Sequence, residues 1–71
     1  MVNSSQHWLD GYARRLGVTT PTDAERDAIL ALAGTAAHAS DRTAAPIACW
    51  MAAAAGLSVA DALALAREVS A

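Results

Sequence analysis

Twelve consecutive residues, Ala44-Ala45-Pro46-Ile47-Ala48-Cys49-Trp50-Met51-Ala52-Ala53-Ala54-Ala55, carry no charged or polar side chain on any face. Thr43 before them is suited to cap a helix, and Pro46 falls in the first turn, where a missing N–H breaks no helical bond. Gly56 then stops it. A helix that is apolar all round is normally buried all round. This segment is therefore the central helix of the domain, or one side of it is an interface. The rest of the chain must supply the neighbours.

Three further helices are predicted, each with its own signals. The first runs from about Ser5 to Leu16. Asn3 or Ser4 caps it, and Gln6 stands three after Asn3 as in a capping box. Trp8, Leu9, Tyr12, Ala13 and Leu16 form one apolar stripe, and Gly17 follows as a left-handed terminator. The second begins at Thr20-Pro21 or at Thr22, where Thr22 and Glu25 make a second capping-box pattern. Asp23, Glu25 and Asp27 place negative charge at its start, as the macrodipole favours. Its buried stripe is Ile29, Leu32, Ala33, Ala36 and Ala37, and it ends near Ala39. Gly34 inside it costs about 1 kcal/mol relative to alanine, which a neighbouring backbone pressed against that face would explain. The fourth opens with Ser58 as cap, with Leu57 before it and Asp61 three after it. Val59, Ala62, Leu63, Ala66 and Val69 fall near one face. The fold class is all-α: a compact four-helix bundle over residues 1–71, with a fully apolar third helix around which the other three pack.

Seventy-one residues leave room for one domain and one core. A chain this short buries only ~60% of the surface its unfolded form exposes. A single cysteine, Cys49, closes no intramolecular disulfide and reads as a small hydrophobe in a reducing compartment. The first five residues have neither a basic nor an apolar leader segment, and the longest uncharged stretch, Thr43 to Ala60, is interrupted by Pro46, Gly56 and Ser58. The expectation is a soluble, cytoplasmic protein with no membrane partner. The net charge is −2, lysine is absent and the five arginines are scattered, so no basic stripe offers itself to nucleic acid.

Few residues suggest chemistry. His38, in the last turn of the second helix, reads first as a side chain that suits the helix C-terminus. His7, His38 and Cys49 with scattered carboxylates do not have the spacing of a metal site, and neither metal nor cofactor is expected. The turn Asp41-Arg42-Thr43 precedes a helix start, whose N–H groups together with Arg42 suit an anion such as phosphate; exposed or salt-bridged Arg42 is the plainer reading. Trp8 with Tyr12, and Trp50 with Met51, are core fillers or partner anchors; Trp50 is assigned to the core and Trp8 to either. The last two helices have small and apolar residues where a helix-turn-helix wants them, at Ala52, Gly56, Ala62 and Leu65. The recognition helix, however, leads with Asp61 and has no basic side chain before Arg67.

The run Ala37-His38-x-x-x-Arg42-x-Ala44-Ala45-Pro46 resembles the centre of a small helical domain common in actinobacteria. Trp8-Leu9 and Leu16-Gly17-Val18 upstream, and the alanine-rich stretch ending at Gly56, match it too. Thr43 stands where that pattern has proline. The resemblance implies a domain found alone or appended to proteins similar to molybdenum cofactor guanylyltransferases, and it marks His38 and Arg42 as the functional positions, which the helix start beside them suits to an anion. The function expected is a non-catalytic accessory or protein-interaction domain associated with molybdenum cofactor (molybdopterin guanine dinucleotide) biosynthesis. Trp8, Trp50 and Met51 are its candidate contact residues. The alternatives are a structural homodimer and, less favoured, a helix-turn-helix regulator. The last two apolar residues named, with Ala54, would form the patch through which a homodimer or another protein attaches.

Overall fold

In the computed structural model, which describes residues 4–70, each of the first three helices ends where a specific side chain or glycine closes it. The helices are α1 (Ser4–Leu16), α2 (Asp23–Ala39), α3 (Ala44–Ala54) and α4 (Val59–Ser70). No strand occurs among the described residues. Asn3 lies outside them, and Ser4 is already helical. The Asn3–Gln6 cap thus lies outside the described residues; within them the Gln6 amide donates to Asp10 Oδ1 at 2.9 Å and its carbonyl accepts from Arg26.

The start of α2 is the capping box of Thr22 and Glu25. The Glu25 N–H donates to Thr22 Oγ1 at 3.1 Å, and the Thr22 N–H donates to Glu25 Oε1 at 2.9 Å. Pro21 therefore precedes the cap. α1 closes on Gly17, whose φ of 77° lets the Val18 N–H reach back to the Ala13 carbonyl at 3.0 Å. α3 ends at Gly56 in the same left-handed conformation, φ 73°. Ser58 caps α4 by accepting from the Asp61 N–H at 3.2 Å. Thr43 occupies the cap position of α3 but makes no capping bond with its side chain. Asp41 serves instead, its Oδ1 accepting from the Thr43 N–H at 3.0 Å, an aspartate turn two residues long.

The centre of the bundle is α2 and not α3. α2 packs along both α3 and α4, which barely meet one another, and α1 makes no close backbone approach to any of them. Buried apolar side chains are Ala13, Leu32 and Ala62, one each from α1, α2 and α4; α3 buries none completely. The reason lies in residue size. The inward face of α3 is Ala44, Ala48, Cys49 and Ala52, which lets it lie against α2 but wraps nothing around it. Its large side chains are left outside. The stripe expected to bury α1 is likewise turned out, apart from Ala13, and Val69 of α4 is 87% exposed. Gly34 has no neighbour within 4 Å of where a Cβ would sit, so no backbone presses on it.

The exposed surface is 5490 Å². A folded monomer of 7.3 kDa exposes about 4200 Å² on average.

Candidate functional site

The outer face of α3 is the first candidate. Ile47, Trp50 and Ala54 recur on successive turns, flanked by Pro46, Met51 and Ala53, and all six are exposed. Ile47 is 59%, Met51 60% and Trp50 72% exposed. Trp50 is thus outside the core, contrary to the reading from sequence. An aromatic ring and two branched or thioether side chains aligned on a helix without one charge is an unusual surface to leave facing water.

The second is the outer stripe of α1. Trp8 and Tyr12 stack with ring centroids 5.0 Å apart and planes inclined by 35°. Both are at least half exposed, as is Leu16. The open question of Trp8 is settled as surface. Beside Tyr12 the Trp8 side chain remains 63% exposed.

The third is an apolar cleft of about 630 Å³ between α2, α3 and α4. Leu32 and Ala36 form its floor on α2, Met51 stands on the α3 side, and Leu65 with Val69 on the α4 side. Sequence reading did not single out this cleft. Leu65 lies off the stripe assigned to the core of α4, and the cleft exists because α3 and α4 part, which no spacing in the sequence announces.

His38 and Arg42 flank the turn between α2 and α3, and both are exposed. The carbonyl at the end of α2 is taken by Ser40, whose N–H and Oγ both donate to Ala36 O, at 3.2 and 3.0 Å. At the start of α3 the Thr43 N–H is held by Asp41 Oδ1, the Ala44 N–H by Asp41 O and the Ala45 N–H by Arg42 O. Pro46 has no N–H. The helix start therefore presents no free donor to an anion, and an anion there would depend on the Arg42 and His38 side chains alone. Among the described residues no group of three or more His, Cys, Asp or Glu side chains is placed to share a metal ion. Cys49 is a half-buried free thiol. No helix among those residues is long and apolar enough to cross a membrane.

These features define a small all-α domain whose largest apolar side chains point outward on two helices and into one open cleft. The chain belongs to the family described as a domain of unknown function (DUF6457), whose model matches residues 2–71. No curated protein and no solved structure matches it.

Proposed function

We propose that this chain is a non-catalytic interaction domain, acting in the cytoplasm as an accessory to an enzyme of molybdenum cofactor biosynthesis. The observation that carries the interaction role is the charge-free outer face of α3, with Trp50 72% exposed at its middle. Surfaces that bind other proteins concentrate their energy in a few such aromatic anchors. The cofactor link rests on the resemblance of the segment from Ala37 to Pro46.

The direct test is titration of the domain into a molybdenum cofactor guanylyltransferase-like protein from the same genome, followed by calorimetry. Saturable binding is the expected result. Trp50→Ala should weaken it by about 2 kcal/mol, roughly thirtyfold, as truncation of an anchor does. Absence of binding removes the cofactor link. Binding that ignores Trp50→Ala removes α3 as the contact.

A further inference from the structure

α1 is mounted with its polar side inward. Gln6, Asp10 and Ala13 recur at i, i+4 and i+7 on one line of the helix, and with Gly11 these are its half-buried and buried positions. Arg26 of α2 holds that line: its Nη1 donates to Gln6 Oε1 at 2.8 Å and its Nη2 to Ser5 Oγ at 3.1 Å. Trp8, Tyr12 and Leu16, at steps of four, look outward at 63%, 50% and 55% exposure. A stripe of that kind ordinarily covers a core. Here it covers no other helix among the described residues.

The same chain carries an apolar groove of matching character. The cleft floored by Leu32 and Ala36 and walled by Met51, Leu65 and Val69 has no charged side chain in its lining. α1 does not bring its stripe there while Arg26 holds it. Arg26 precedes Leu32 and Ala36 by roughly 9 Å and 15 Å along the α2 axis, and the latch faces the polar side of α1 to α2.

The geometry points to a second copy of this chain as the occupant. The α1 stripe of each copy lies in the α2–α3–α4 cleft of the other, around a two-fold axis. Three observations select this arrangement. The exposed surface exceeds that of an average monomer of this mass by roughly 1300 Å², more than the ~800 Å² per partner that a stable interface buries. The charges are complementary: α1 carries Arg14 and Arg15 in its last turn, while on α4 Asp61 and Glu68 stand one turn before and one turn after the cleft residue Leu65, and both are exposed. One chain also holds both the projecting stripe and the groove, so reciprocal pairing uses both and closes at two copies. The pairing leaves the Ile47–Trp50 face open and stands independently of the molybdenum cofactor reading.

Sedimentation equilibrium on the full chain tests it with two variants, Trp8→Glu/Tyr12→Glu in the stripe and Leu65→Glu in the cleft. The wild type sediments as a dimer at tens of micromolar, and each variant alone as a monomer with unchanged helical circular dichroism. An equimolar mixture of the two regains a dimer, because one intact stripe then meets one intact cleft. A monomeric wild type overturns the proposal, whether the surface is kept for another protein or α1 folds into its own cleft. Variants that remain dimeric overturn it in favour of α3 pairing, and a mixture that stays monomeric overturns the reciprocal geometry. If Leu65→Glu loses helicity, the charge pair decides. Arg15→Glu should raise the dimer dissociation constant at least tenfold, and adding Glu68→Arg should restore it; no change in either overturns the pairing.

Discussion

Gly34 stands in the middle of α2, and a methyl group added there meets no atom within 4 Å. Gly17 and Gly56 are equally open, yet their φ values of 77° and 73° lie in the region that a Cβ disfavours. The same substitution thus has opposite signs. Gly34→Ala is expected to stabilise the domain by about 1 kcal/mol through helix propensity, raising the thermal midpoint by about 4–8 °C for a domain of this size. Gly17→Ala and Gly56→Ala should each destabilise by about 1–2 kcal/mol. Thermal melts followed at the helical band measure all three. At this scale the sequence was legible wherever the partner is close in the chain. The Thr22–Glu25 box, the Ser58 cap and both terminating glycines lie within a turn of what they contact. Gly34 was misjudged because its environment depends on where other helices pass.

At the scale of the element, α1 shows what periodicity conveys. Its stripe of Trp8, Tyr12 and Leu16 is plain in the sequence, but the direction in which the stripe points is set by Arg26, which reaches Gln6 and Ser5 across twenty residues and more. Burial and amphipathicity part company there, and spacing alone reads the usual alliance. The α3 segment offered two readings, centre or interface, and alanine removes the first: a face of Ala44, Ala48 and Ala52 makes contact with α2 without surrounding anything. The bidentate latch yields a clear expectation. Arg26→Lys keeps the charge but not the planar fork that spans two acceptors. Amide hydrogen exchange in α1 should then speed up at least tenfold, while α2 and α4 keep their protection. Equal protection in α1 would show that Arg26 does not hold it.

At the scale of the whole molecule, Leu32 is, among the described residues, the one large side chain with less than a tenth of its surface exposed, at 4%. Truncating a buried leucine costs about 2–5 kcal/mol, against a total of about 4–10 kcal/mol for a domain of this length. Leu32→Ala should therefore shift the urea midpoint steeply or leave the chain partly unfolded at 25 °C. Trp50→Ala removes a larger side chain from a position that is 72% exposed, and should stay within about 0.5 kcal/mol of wild type. If Trp50→Ala proves the more damaging of the two, the assignment of inside and outside is wrong.

The surface left uncovered by folding also governs how the protein responds to heat. An unfolded chain of 7.3 kDa exposes about 10,600 Å², so the 5490 Å² that remains means that only about half is withdrawn from water. Unfolding newly hydrates correspondingly little surface, and the heat-capacity increment of the lone chain should fall roughly a fifth below the usual 12–15 cal/mol/K per residue. Calorimetry of dilute protein should then show a broad, low endotherm with a shallow stability curve. As the protein is concentrated and pairs of copies form, the endotherm should sharpen and move upward, because each pair must shed its shared surface before either member can melt.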